Sequence, residues 1–197
     1  MPWIIDYPLV LDQMREQGFK CLYFNSGAFG FADVVREHVA GWIGGDDPSI
    51  RDEARAAAVV IAPPIEENLA ALFVRAWNEL SPGSIWLMPK THWSHELEHG
   101  SRAWMPAVLE RVGVDPGQLA HRTNAAAIEF TQDESAAVNL LVERFLSALA
   151  GSDFMIAFPR RPLLCTLHHH KQLWWQTAEE PLAQRLRQTA LEVTRAE

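Results

Sequence analysis

Between Thr131 and Gly151 the chain carries a helix with both of its ends marked, and that element constrains what its neighbours can build. Thr131 followed three residues later by Glu134 is a capping box, whose side chains satisfy backbone N–H groups that a first helical turn leaves unpaired. Val138, Leu141, Phe145 and Leu149 recur at helical spacing as one apolar stripe, and Gly151 supplies the stop. β-prone runs lie on either side, Ala126 to Phe130 before it and Asp153 to Phe158 after it. A helix that buries one stripe between two strands needs a sheet to pack on.

The rest of the chain repeats this mixture without a regular βαβ rhythm. Asp6, with Pro8 in the first turn and Leu9, Val10 and Met14 beyond, predicts a short helix stopped by Gly18. Phe19 to Phe24 predicts a strand that turns at Asn25-Ser26-Gly27. Phe31 to Trp42 is expected as a helix, with Val34, Val35 and Val39 on one side and Gly44-Gly45 at its end. Another helix is expected from about Pro48 to Ile61, although Ala58 to Ala62 fits a buried strand equally well. Pro63-Pro64 opens a helix through Leu69, Leu72, Phe73, Ala76 and Leu80, then Ser81-Pro82-Gly83 turns into a strand over Ser84 to Met88.

Near the C-terminus, Leu163 to Trp175 is expected as a single strand, antiparallel to Asp153–Phe158 across Pro159-Arg160-Arg161-Pro162. Thr177 with Glu180 is a second box, opening a terminal helix that carries Leu182, Leu186, Ala190 and Val193. The expected fold is therefore α+β: several helices packed on a small, largely antiparallel sheet, in a single compact domain over 1–197.

Composition narrows the function classes. A net charge of −8 argues against unspecific binding to nucleic acid or to an anionic membrane, both of which need a positive surface. The longest nearly apolar run, Ala56 to Ile65, is half of the ~20 residues a membrane helix requires. Met1-Pro2-Trp3-Ile4-Ile5-Asp6 lacks the basic start of a signal peptide. Two cysteines, Cys21 and Cys165, exclude a disulfide framework and fit a reducing compartment. A cytoplasmic protein is expected, without nucleic-acid or membrane partners, its small-molecule or peptide ligand unspecified and homo-oligomerisation left open. The eight tryptophans read first as core anchors and second as a stacking surface for a ring-shaped ligand.

Chemistry concentrates in the histidines, seven of which lie between His92 and His170. The first group contains His95-Glu96-Leu97-Glu98-His99, in which two imidazoles four residues apart on a helix share one face. This pattern, H-E-x-x-H, resembles the signature of the zincin metallohydrolases. The resemblance implies His95 and His99 as Zn²⁺ ligands and Glu96 as the general base. It covers these five residues; Arg102 and Met105 stand where the metzincin extension has its glycine and third histidine. His92 lies on the same face, but seven residues of helix rise about 10.5 Å. At most two of His92, His95 and His99 can then share an ion, and any further ligand must come from elsewhere.

The second group, His168-His169-His170, offers one. On a strand, His168 and His170 point the same way with Cα atoms about 6.7 Å apart, while His169 and Lys171 face the opposite, apolar side. The candidate site is therefore a Zn²⁺ held by His95 and His99 with His168 or His170, and Glu96 as the base of a metal-dependent hydrolase. The alternative is a non-catalytic structural or interaction domain. A thinner third reading is a metal-free hydrolase using a His–Glu pair. Glu129 is a further carboxylate to consider as ligand or base. Asn25 to Gly30 is a strand-to-helix turn that lacks the Lys-Ser/Thr of a phosphate loop. Cys165 falls on the opposite strand face from His168, which disfavours a Cys–His nucleophile pair.

Overall fold

The computed structural model describes residues 2–19, 21–23, 29–31, 39–43, 69–122, 125–177 and 179–195. Strand β1 (Trp3–Asp6) leads directly into helix α1 (Tyr7–Glu16), and the short strands β2 (Cys21–Tyr23), β3 (Phe29–Phe31) and β4 (Val39–Ile43) follow. Helix α2 (Leu69–Leu80) precedes β5 (Ile85–Pro89). A helical turn α3 (Trp93–His95) then runs on into a π-helical turn, Glu96–Gly100. Helices α4 (Met105–Arg111) and α5 (Pro116–His121) precede β6 (Ala125–Phe130) and helix α6 (Ser135–Ala148). Strands β7 (Phe154–Ala157), β8 (Leu163–His168) and β9 (Gln172–Thr177) lead to the last helix, α7 (Glu180–Arg195).

Seven of these strands form one sheet in the order β1-β6-β5-β7-β8-β9-β4, and β2 pairs with β3 in a separate ribbon. Every pairing is antiparallel. The architecture is α+β, as expected.

Strands β5 and β7 are apolar throughout because both faces of the sheet are covered there. All five residues of β5 are buried. Ile85 and Leu87 join a large core with Phe73, Trp77, Phe145, Phe154 and Trp175, whereas Trp86 and Met88 pack with Tyr7, Val10 and Met14 of α1. Alternation along the strand thus divides one segment between two cores. Aromatic contacts knit the larger one: Phe145 meets Phe154 at 4.5 Å between ring centroids, and Phe73 stacks on Trp175 at 5.6 Å. Each such side chain contributes about 1.5–3 kcal/mol by burial. Trp77, Trp86, Trp93 and Trp175 are core anchors, while Trp3 is 69% exposed.

The marked helix forms where its caps place it. Glu134 accepts from the Thr131 backbone N–H at 3.0 Å. A single 3₁₀ turn, Gln132–Glu134, intervenes before α6. Gly151 follows the helix at φ 81°, the left-handed conformation that suits glycine. Arg160 and Arg161 are exposed in the β7–β8 turn.

Two expectations are corrected. The helix expected over Phe31 to Trp42 fails at both of its ends: Phe31 ends β3, and Val39–Ile43 is β4, paired with β9 at Gly41↔Trp175 and Trp42↔Trp174, while 32–38 lie outside the described residues. Leu163 to Trp175 is two strands, β8 and β9, joined by a turn at residues 169–171. The helix expected over 48–61, the strand alternative at 58–62 and the turn at 24–28 lie outside the described residues. Among the described residues no helix is long and apolar enough to cross a membrane.

Candidate metal centre

Sheet register brings three separate pieces of the chain to one end of the sheet. Pro89 pairs with Phe154, Phe154 with Leu167, and His168 with Gln172. Lys90 and Thr91, just past β5, therefore neighbour Ser152 and Asp153, just before β7, and both neighbour the β8–β9 turn. The Lys90 N–H donates to the Asp153 carbonyl at 3.0 Å, tying two of these pieces through the backbone.

The turn itself is a three-residue hairpin loop, His169-His170-Lys171. Lys171 N–H donates to the His168 carbonyl at 3.0 Å, and Lys171 takes φ 59°. That left-handed residue closes the loop, a role glycine or asparagine usually fills. The reversal gathers all three imidazoles, each offering a ring nitrogen within 4.8 Å of the others. Ring centroids are separated by 4.3 Å for His168–His169, 4.9 Å for His168–His170 and 4.2 Å for His169–His170. Two imidazoles on one Zn²⁺, with Zn–N near 2.1 Å, have centroids about 5 Å apart, a spacing the cluster approaches. The His168 and His169 planes lie within 24° of each other, so one ring must rotate before both in-plane lone pairs meet a single ion.

Each ring sits in a different environment. His168 stacks on Trp174 at 4.8 Å with planes 7° apart, and its Nδ1 accepts from the His170 backbone N–H at 3.1 Å. Burial pushes its pKa down to about 4, against the attraction of Asp153, so the ring is neutral near pH 7, the form a metal requires. His169 is held by Asp153, whose Oδ1 accepts from its backbone N–H at 3.0 Å and from its ring Nδ1 at 2.8 Å. Asp153 Oδ2 accepts from the Lys90 ammonium at 2.8 Å. Burial opposes ionisation of Asp153, yet the Lys90 charge and the hydrogen bonds from Lys90 and His169 outweigh it and hold the carboxyl at about 2. His170 is the exposed member of the three.

The H-E-x-x-H segment is arranged differently. His92 caps the turn, its Nδ1 accepting from the His95 backbone N–H at 3.0 Å. His95 and His99 are exposed and meet edge to face at 5.6 Å. Glu96 is 0% exposed. Its carboxyl accepts from Thr91 Oγ1 at 2.7 Å, Ser152 Oγ at 3.1 Å and Ser101 Oγ at 3.2 Å. The backbone widens around it: Ser101 N–H donates to the Glu96 carbonyl at 2.8 Å, the five-residue step of a π-turn. Gly100 packs against the same carboxyl, where an added Cβ would stand 2.8 Å from Oε2. Both Glu96 oxygens are thus engaged by hydroxyls, and the residue fastens the π-turn to the β7 approach.

Among the described residues, His168, His169 and His170 are the one group of three His, Cys, Asp or Glu side chains close enough to share an ion. His95 and His99 do not join it, so the mixed set of His95, His99, His168 and His170 is not assembled. His169, expected to face away, belongs to the cluster because the chain turns instead of continuing as a strand. Glu129 accepts from Trp86 Nε1 at 3.2 Å and lies by β5's start, the opposite end from Lys90. Cys165 is a buried free thiol whose pKa burial raises well above the ordinary value. Sequence reasoning missed Asp153 and Lys90. No linear spacing links Asp153 to His169; only the β7–β8 register does.

A scan of protein-family models and searches of curated proteins and of solved structures found no match to this chain.

Proposed function

We propose that the chain is a divalent-metal-binding protein that takes Zn²⁺, or a similar borderline ion, on the β8–β9 turn. The observation that carries this reading is the convergence of three imidazoles on one hairpin loop, with ring nitrogens within 4.8 Å of one another. Imidazole is a preferred ligand for such ions, and the neutral His168 ring would bind one through Nδ1, whose lone pair must first be released from the His170 backbone N–H. Three protein ligands leave a tetrahedral ion one position short, the arrangement that catalytic zinc sites use. Hydrolysis is therefore the reaction class to assay, with a base other than Glu96, whose oxygens are already engaged. A cytoplasmic location belongs to the proposal, since a reducing compartment keeps Cys165 a thiol.

Calorimetric titration of untagged protein with Zn²⁺ tests it. About one ion per chain is expected, lost in His168→Ala/His170→Ala and retained in His95→Ala/His99→Ala. Wild-type protein that takes up no Zn²⁺ would contradict the proposal and favour the non-catalytic reading. In that reading, the Trp174 stack and the Asp153 hydrogen bonds make the turn a packed polar corner.

A further inference from the structure

His168 and His169 carry their ring protons on different nitrogens: His168 Nδ1 accepts from the His170 backbone N–H, which leaves its proton on Nε2. A carboxylate only accepts hydrogen bonds, so the 2.8 Å contact from Asp153 Oδ1 places a proton on His169 Nδ1. A neutral imidazole protonated there has its one lone pair on Nε2. The same Oδ1 takes the His169 backbone N–H at 3.0 Å, which fixes both ends of the residue to one oxygen. The second oxygen is occupied by Lys90 at 2.8 Å, which keeps Asp153 from serving as a direct ligand without breaking an ion pair.

Resting on the metal reading above, we infer that Asp153 is the positioning residue that makes His169 a ligand through Nε2, and that Lys90 restrains the affinity of the site. The carboxylate orients the ring and raises its basicity toward a metal, as outer-sphere carboxylates do in histidine–zinc sites. Lys90 acts in the opposite sense. Its ammonium withdraws charge from that carboxylate and adds a positive charge one side chain away from a dication.

Both residues belong to one ion pair, so a merely structural role predicts that their substitutions act alike. The metal role predicts opposite signs. Asp153→Asn removes the negative charge behind the Nδ1–H, loosens the hold on the ring and weakens Zn²⁺ binding about 10- to 100-fold. Lys90→Met leaves the carboxylate wholly to His169 and tightens binding several-fold.

The experiment is a chelator-competition titration with Zn²⁺ on wild type, Asp153→Asn and Lys90→Met, with thermal melts of each metal-free protein. It is paired with ¹⁵N NMR of the His169 ring in metal-free wild type. Opposite shifts in affinity, alongside lowered melting temperatures in both variants and an Nδ1–H tautomer for His169, are expected. Affinity shifts of the same sign in both variants, Asp153→Asn affinity within about twofold of wild type, or an Nε2–H tautomer would overturn the positioning role. Those results leave the metal reading intact if wild type binds Zn²⁺; wild type that binds none overturns both. Should Asp153→Asn fail to fold, Lys90→Met and the wild-type tautomer still decide.

Discussion

The two histidine groups invert what their sequences suggest. His95-Glu96-Leu97-Glu98-His99 has the spacing of a metallohydrolase helix, yet its glutamate is sealed inside by three hydroxyls while its imidazoles lie at the surface, edge to face with each other. His168-His169-His170 has no motif spacing, yet a hairpin turn gathers its rings and an aspartate orients one of them. Spacing along a helix sets which side chains share a face. It does not set where a charged side chain turns when hydroxyls from neighbouring segments offer it a buried seat.

That contrast can be broken first at Glu96. If it is a structural tie, Glu96→Ala takes the acceptor from the half-buried Thr91 and Ser152 hydroxyls and the buried Ser101 hydroxyl, and costs about 3 kcal/mol of unfolding free energy. Glu98→Ala, on the exposed side of the same turn, stays within about 0.5 kcal/mol. Urea denaturation measures both; equal, small effects would mean that Glu96 is not holding the π-turn in place. Gly100→Ala probes the same seat from the backbone. The added Cβ would press on a carboxyl that three hydrogen bonds keep from moving, so a loss of about 1–2 kcal/mol is expected in the same assay.

Acid titration sharpens the comparison on the hairpin side. Burial holds His168 at about 4 in the folded chain against an ordinary 6.5. The unfolded chain therefore takes up the proton first as pH falls. Its contribution is complete above pH 6.5 and is lost as pH falls through 4. Asp153 contributes above its ordinary 3.8, and that share is lost as pH falls towards about 2. Denaturation midpoints of metal-free protein measured across this range should decline in two successive windows. His168→Phe should flatten the upper window alone, and parallel curves would contradict the assignment. The smallest effect is expected at Lys171. Its φ of 59° is strained for a side chain with a Cβ, so Lys171→Gly should stabilise by about 0.5 kcal/mol, read as a slightly raised melting temperature.

How far the sequence anticipated these features depends on whether their causes are local. Helix α6 was legible because its box, stripe and glycine all lie within one short stretch of chain, Thr131 to Gly151. Strand β4 was not, because Val34, Val35 and Val39 suit a helix, and pairing with β9 decides otherwise. The β8–β9 turn carries no Asn, Gly or Pro; a lysine takes the left-handed position, so the break stayed hidden. Beyond the turn, paired residues share a face, so Cys165 and Leu167 of β8 meet Trp175 and Leu173 of β9 in the core. Asp153 reaches His169 through register between strands, which no spacing along the chain records.

Anomalous diffraction at the zinc edge, from a Zn²⁺-soaked crystal of untagged protein, would locate the ion. One peak is expected on the β8–β9 turn, about 2.1 Å from ring nitrogens of His168, His169 and His170. A peak at His95 and His99 with none on the turn would contradict that placement.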